Sequence, residues 1–339
     1  MAGQRYRLTA ATSRMARITM VHDIAGVAEV EARLLREAGH EVTMVRLSSL
    51  GAGWSWPWKI LGLGLRLLSF LPIVARLRQQ PPEILHIHWV PMGVIGVLSG
   101  RPFFLSAHGS DLHQHFRNPV LRAVSHAILR RARCVFYSTP NLAAFLASIE
   151  VPCVELPNPV DVDAYPARRP HPGHEVLLFT RLDPIKGVEA ILPAAVEISG
   201  TARVTGLAWG PLKADYMRRY ADAVSFVDPV PHEGIPAFLA GFDAIVGQMN
   251  QGILSLAEIE ALAAGFPVVT GIDWALYGAD PPPVTEAHDS ASIAAAVRAL
   301  LTREPGASDG SREARDWVRR NHGFEKHLAV LEREYGISR

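Results

Sequence analysis

The chain has 339 residues, of which 49% are hydrophobic and 20% charged, with 27 Gly, 25 Pro and two Cys. So apolar a composition offsets the entropy of ordering, which excludes a disordered chain. Glycines and prolines without a period exclude collagen, and two cysteines exclude a disulfide scaffold. The net charge of +1 hides an asymmetry: residues 1–170 hold 19 Lys and Arg against 11 Asp and Glu, whereas residues 171–339 hold 15 against 22. A basic half suits an anionic partner, and at about 150 residues per domain the length implies two domains.

Residues 1–16 hold Arg5, Arg7 and Arg14 but no apolar signal-peptide core, and are expected to form a disordered tail. From residue 17 strands and helices alternate. Ile18–His22 and Glu41–Leu47 read as strands around a helix over Ala28–Ala38, which ends at Gly39. Ile84–Trp89, Phe103–Ala107, Cys134–Ser138 and Val154–Leu156 continue the strand series. Ile60–Leu77 is the one stretch with membrane character, and Arg66 and Pro72 interrupt it too early for a span. Gly62, Arg66, Ser69 and Arg76 would form one narrow stripe of that helix, with apolar residues around the rest and Trp54, Trp56 and Trp58 just ahead. This suits a membrane interface, and it equally suits a helix buried in the first domain.

Pro157, Pro159, Pro166, Pro170 and Pro172 mark an interdomain connection. A second series follows: strands at Val176–Thr180, Ala202–Leu207, Val224–Val227, Ala244–Val246 and Pro267–Thr270, a helix over Val188–Ile198, and a terminal helix over Arg312–Tyr335. The pattern predicts an α/β protein of two doubly wound, Rossmann-like domains facing a cleft, with ligands outside the carboxyl ends of the strands. The expected boundaries are 17–165 and 166–315, with 316–339 packing back on the first domain. Cys134 and Cys153 lie apart without metal-ligand spacing and read as thiols in a reducing compartment.

The first strand is followed by one glycine, Gly26, not by the Gly-x-Gly-x-x-Gly of a dinucleotide site, and no P-loop is present. Arg181 directly follows a strand and Lys186-Gly187 opens a helix, an arrangement able to hold a diphosphate. Ser255 and Glu258 have capping-box spacing. Glu260, two residues on, points to nearly the opposite side of that helix and is free to accept two ribose hydroxyls. His108-Gly109-Ser110-Asp111 follows a first-domain strand.

Together these residues resemble the retaining glycosyltransferases of the GT-B architecture, and specifically glycosyltransferase family 4. The resemblance rests on His108-Gly109-Ser110-Asp111, Pro157-Asn158-Pro159-Val160-Asp161, Arg181 to Gly187, and Glu260 to Val269. Pro231 to Pro236 and Asp243 extend it, and it runs from about Arg17 to the terminal helix. It implies transfer of a hexosyl group from a nucleotide-diphospho-sugar to a hydroxyl acceptor, with retention, no cofactor and no metal. His108, Arg181 and Lys186 are the implied catalytic set. Glu260, Ser255, Leu256, Gly26, Asn250 and Gln251 lie on the donor side, and Asp111 on the acceptor side. The family's usual glutamate eight positions before Glu260 is replaced by Gly252, with Asn250 and Gln251 as stand-ins. Asp161-Val162-Asp163 copies a metal-binding Asp-x-Asp of another transferase fold, but it falls in the linker.

The acceptor is expected to be lipid-linked or a glycan precursor. The first domain is expected to touch an anionic membrane through Trp54, Trp56, Trp58 and helix 60–77, at the cytoplasmic side. No nucleic-acid partner is expected. Two alternatives share the fold: a sugar-nucleotide epimerase, and a non-catalytic nucleotide-sugar scaffold.

Overall fold

A computed structural model describes residues 15–47, 64–65, 67–116, 118–166, 174–302 and 310–337, and every structural statement below concerns these. Trp54, Trp56, Trp58, the start of the apolar stretch at 60–63, Arg66, residues 1–14 and linker residues 167–173 lie outside them. The chain divides into two compact units, Met1–Pro159 with Glu325–Arg339, and Val160–Phe324. The division falls at Pro159, ahead of the expected 165, because Val160, Val162 and Tyr165 are buried in the core of the second unit.

In the first unit, β1 (Arg17–Val21), β2 (Glu41–Val45), β3 (Ile84–His88), β4 (Phe104–Ala107), β5 (Cys134–Tyr137) and β6 (Cys153–Glu155) form one sheet in the order β2-β1-β3-β4-β5-β6. All its pairings are parallel, as expected where connections cross over through helices. Strand residues alternate between faces. One face buries Leu85, Ile87, Leu105 and Val135 against Phe70 and the helical Val74, Leu77 and Leu129. The other face carries Met20, His86 and Phe104 side by side, with His88 beside Ser106. Helix α1 (Val27–Glu37) follows β1 and buries Ala28, Glu31, Ala32 and Leu35, spaced three and four residues apart.

The apolar stretch ahead of β3 becomes helix α2 (Leu71–Gln79). Its spacing satisfies both expected readings in part. Phe70, Val74 and Leu77 enter the core, while Leu65, Leu67, Leu68 and Leu71 are exposed. Among the described residues no helix is long and apolar enough to cross a membrane.

In the second unit, β7 (Glu175–Leu178), β8 (Arg203–Leu207), β9 (Ser225–Val227), β10 (Ala244–Val246), β11 (Val268–Thr270) and β12 (Thr285–Glu286) form a parallel sheet in the order β12-β11-β10-β7-β8-β9. Here both faces are apolar. Leu177, Ile245 and Val268 pack with Leu262 and Trp317 on one side. Val176, Leu178, Val246 and Val269 pack with Ile191, Leu192, Ile293 and Val297 on the other. The helix after β7 runs over Val188–Ile198 as expected, and β12 is a short edge strand that its sequence does not announce.

The single helix expected over Arg312–Tyr335 is two helices, Ser311–His322 in the second unit and Phe324–Tyr335, which is part of the first from Glu325. Gly323 between them leaves helical geometry with ψ 148°, and a Cβ there would lie 2.2 Å from the carbonyl oxygen of Arg319.

Candidate functional site

Each sheet reverses its strand order at one place, between β1 and β3 in the first unit and between β7 and β10 in the second. Ligands of open parallel sheets bind outside the carboxyl ends of the strands at such a point. Arg181 and Lys186 lie at the second of these places, Gly26 follows β1 at the first, and His108 follows the neighbouring β4.

In the second unit Arg181 stands just beyond β7. Its Nη2 is 2.6 Å from Asp183 Oδ2, and its Cζ lies 5.9 Å from the centre of the Trp209 ring. Its buried Nε has no hydrogen-bond partner. Lys186 closes the short turn Pro184–Lys186, and its Nζ donates to Gln248 Oε1, just past β10, at 2.5 Å. Burial pushes the Lys186 ammonium below the usual lysine range, while the Glu258 charge opposes that shift. Two cations thus sit over the β7/β10 reversal, one of them with a donor to spare. Gly187 follows with φ +81°, and a Cβ there would fall 2.6 Å from Met249 Cβ, so only glycine permits this approach.

Asn250 and Gln251 have a different task from the one expected. Asn250 Nδ2 donates to the carbonyl of Pro184 at 3.1 Å and Gln251 Nε2 to that of Ile185 at 3.0 Å, so both side chains pin the turn that carries Lys186. Gly252 has φ +66°, so a glutamate at that position would be strained.

Ser255 caps the helix Leu256–Ala263, and the expected capping box is present. Glu258 does more than cap. Its Oε2 accepts from the Ser255 N–H and hydroxyl, both at 2.6 Å, and its Oε1 from the Gln248 N–H at 3.0 Å and the Thr270 hydroxyl. This carboxyl ties the helix start to the ends of β10 and β11. Leu256, at the first helical position, is half-buried. Glu260 points elsewhere but does not stand free. It is 3% exposed, hydrogen-bonded to Tyr165, and its Oε1 lies 3.1 Å from Nε2 of the largely exposed His232. Burial pushes its carboxyl up to about 7, against the opposing effect of the Tyr165 hydrogen bond.

In the first unit Gly26 is the N-cap of α1 with φ +80°, and Asp23 accepts from the N–H groups of Gly26 and Ala28 at that helix end. His22 and Trp89, past β1 and β3, have φ +69° and +75°. Strained non-glycine backbone of this kind collects at functional sites. The two rings lie 5.9 Å apart. His108 follows β4 and is half-buried. Asp111, expected on the acceptor side, is instead fully buried. Its carboxylate is spent on the N–H groups of Val90 at 3.0 Å, His108 at 3.1 Å and Leu112 at 3.0 Å, so it shapes the loop that presents His108.

Behind His108 lies a polar cluster that motif reading missed. Glu31, His86 and His88 are buried, joined by His327 and Tyr335 of the C-terminal helix. Glu31 Oε2, His86 Nδ1 and His88 Nε2 come within 4.8 Å of one another, the spacing a small cation needs. The Tyr335 hydroxyl already lies 2.6 Å from His86 Nδ1, and His86 Nε2 lies 2.8 Å from Ser106 Oγ, so the set is built as a hydrogen-bonded network. Two signals in the sequence could have found it: a glutamate on the apolar stripe of α1, and two histidines two apart in an otherwise apolar strand.

The fold defines a class first: two parallel six-stranded sheets, each with one strand-order reversal, match the GT-B fold of solved glycosyltransferases. More particularly, residues 24–159 match the glycosyl transferase 4-like domain. The chain is 26% identical over 268 residues to a glycogen synthase of Mycobacterium tuberculosis, an alignment that takes in 70% of this chain and 64% of that protein. The chain therefore spans just under two thirds of the length of the curated relatives it matches. Among solved structures, a sucrose-phosphate synthase from Thermosynechococcus elongatus superposes with a TM-score of 0.78 at 16% identity, over 94% of this chain and 98% of that one. Anabaena HepE, solved with UDP and glucose, gives 0.69 at 15% identity, over 94% and 99%.

Proposed function

We propose that the protein is a glycosyltransferase that moves a hexosyl group from a nucleotide-diphospho-sugar to a hydroxyl acceptor, retaining the anomeric configuration and without a metal ion. The placement of Arg181 and Lys186 over the β7/β10 reversal carries this reading. A diphosphate leaving group develops charge as the glycosidic bond breaks, and preorganised cations stabilise that charge in place of a metal. The unpartnered Arg181 Nε is the donor in reserve. Glu260 would take the ribose hydroxyls after His232 turns away, and the main chain at Ser255 and Leu256 would face the phosphate side. His108 would meet the transferred sugar. The glycogen synthase relative and the UDP and glucose bound by HepE support a sugar-nucleotide donor.

Thermal stability measured against UDP-, GDP-, ADP- and dTDP-sugars tests this reading. One donor should raise Tm, and the product made with a hydroxyl acceptor should keep the donor's anomeric configuration in EDTA. No shift with any donor would refute it. Gly252 favours a second reading, a nucleotide-sugar scaffold without turnover, because Asn250 and Gln251 are committed to the turn at Lys186. Binding without product in any acceptor screen would select the scaffold, and release of free nucleotide without acceptor product would select an epimerase.

The first unit would reach a lipid-linked acceptor by resting on an anionic membrane at its cytoplasmic face. Exposed Leu65, Leu67, Leu68 and Leu71, close in sequence to exposed Arg76 and Arg78, support this. Apolar insertion and attraction to anionic lipid act jointly at such a surface. Flotation with anionic liposomes should weaken with salt and with Leu67→Ser/Leu68→Ser, at unchanged Tm. A folded protein that never floats would exclude it.

A further inference from the structure

His108 is not alone at the end of β4. Its Nε2 lies 3.2 Å from His88 Nδ1, and the two rings stack with centroids 5.4 Å apart. On the far side of the His88 ring, Nε2 lies 3.4 Å from Glu31 Oε2. The two atoms approach at ion-pair distance without a formed hydrogen bond, Oε2 lies 3.7 Å from His86 Nδ1 as well, and both are buried. Glu31, His88 and His108 therefore form a line from the interior of the first unit to its strand ends.

The protons along this line follow from which groups can only accept. His327 Nδ1 lies 2.9 Å from the carbonyl oxygen of Pro157, and its Nε2 lies 3.2 Å from Glu31 Oε1. A carbonyl and a carboxylate only accept, so His327 donates from both ring nitrogens and is the counter-ion of Glu31. Together His88 and His327 outweigh the desolvation that would raise the Glu31 carboxyl, and hold it well below the usual range. A second buried cation would lack a counter-charge, so His88 carries one ring proton. Facing Glu31, that proton belongs on Nε2, which leaves a lone pair on Nδ1. His108 must then donate from Nε2. Burial above all pushes the His108 ring down to about 3, so it too is neutral and holds its single proton on Nε2. His108 Nδ1 has no hydrogen-bond partner among the described residues.

We propose that Glu31, acting through His88, fixes the tautomer of His108, so that His108 presents an Nδ1 lone pair to a hydroxyl of the donor sugar. Glu31 and His88 are positioning residues. The carboxylate–histidine pair here has a second histidine in series, which carries the orientation of one buried charge to the half-buried ring at the end of β4. The role of the sugar hydroxyl rests on the function proposed above. The tautomer itself does not, because it is a property of the free protein.

Long-range proton–nitrogen correlation spectra of the full chain labelled with [15N]histidine read the tautomer directly, with His108 assigned by difference from His108→Asn. Wild type should show a neutral ring protonated at Nε2. His88→Phe removes the acceptor and Glu31→Gln the anchor, and both should give a mixture of tautomers. His88→Asn keeps an acceptor oxygen close to the place of Nδ1 and should restore the Nε2 form. With a donor identified by thermal shift, Glu31→Gln should lower kcat roughly tenfold, the worth of about one neutral hydrogen bond, and leave donor KM within about twofold. A wild-type His108 protonated at Nδ1, or a His88→Phe spectrum identical to wild type, overturns the proposal. If Glu31→Gln does not fold, the wild-type spectrum and the two His88 variants decide. A tautomer that switches as described in a protein that binds no nucleotide sugar would overturn the proposed function and leave the relay standing.

Discussion

Both units are built on a six-stranded parallel sheet with one strand-order reversal, but they keep their polar groups in different places. In the second unit both faces of the sheet are apolar, and the site residues stand on turns beyond the strands, with Arg181 and Lys186 as the clearest cases. In the first unit one sheet face is apolar, and the other holds Glu31, His86 and His88 inside the core. A polar group on a turn can be altered with little cost to the fold. A buried ion pair cannot, because removing one partner strands the other in a medium that solvates it poorly. Function and stability should therefore separate in the second unit and be coupled in the first.

The strongest way to break this comparison is Glu31→Leu. It leaves His327 cationic and buried, and should lower unfolding free energy by about 3–5 kcal/mol, read by urea denaturation. Because the folded Glu31 carboxyl is held below its unfolded value, this stabilisation is present at neutral pH and is lost as pH falls through the folded value. An effect below about 1 kcal/mol, as for a surface pair, would remove the contrast between the units.

Arg181→Ala and Lys186→Ala should do the opposite. Each should cost about 2–4 kcal/mol in kcat/KM, while Tm moves little. Turnover near wild type in both would refute the diphosphate assignment.

Glu258 and Glu260 sharpen the comparison within one helix. The sequence suggests that Glu258→Gln costs little, since glutamine can still cap. Four hydrogen bonds to Glu258 from Ser255, Gln248 and Thr270 change that expectation. An amide offers one oxygen in place of two, so Glu258→Gln should cost about 1–2 kcal/mol of stability and leave nucleotide affinity close to wild type. Glu260→Gln should weaken nucleotide binding and spare stability. Calorimetry and melting curves showing the reverse order would place the ribose contact on the wrong carboxylate.

The smallest effect is a pH dependence. Burial raises the Glu260 carboxyl to about 7, and ribose hydroxyls favour the anion, so affinity should fall as pH drops through about 7. Titrations at pH 6 and pH 8 should differ several-fold in wild type and agree in Glu260→Gln. Equal affinities in wild type would show that Glu260 does not hold the nucleotide.

Legibility differed between the units for a physical reason. Strand and helix positions follow from apolar periodicity, which is local, so β1, β3, β7 and the helix after β7 fall within a residue or two of expectation. Arg181, Lys186 and the Ser255 capping box were legible because their chemistry sits next to a strand or helix end. The backbone contacts of Asp111 and Asn250 were not legible because a polar residue in a loop looks the same whether it faces a ligand or satisfies backbone groups. The break at Gly323 was invisible to a helical pattern that continues on both sides of it.

By itself the sequence determined the α/β alternation, the two sheets, the linker region and the resemblance carried by His108, Arg181, Lys186 and Glu260. Only the tertiary structure decided that Glu31 meets His88 and His327, partners that lie 57 and 296 residues away along the chain. It also decided that Glu258 braces two strands and that Glu260 is sheltered by Tyr165 and His232. Periodicity states which residues leave water, but not which of them meet. A buried charge is tolerated only where folding brings its partners to it.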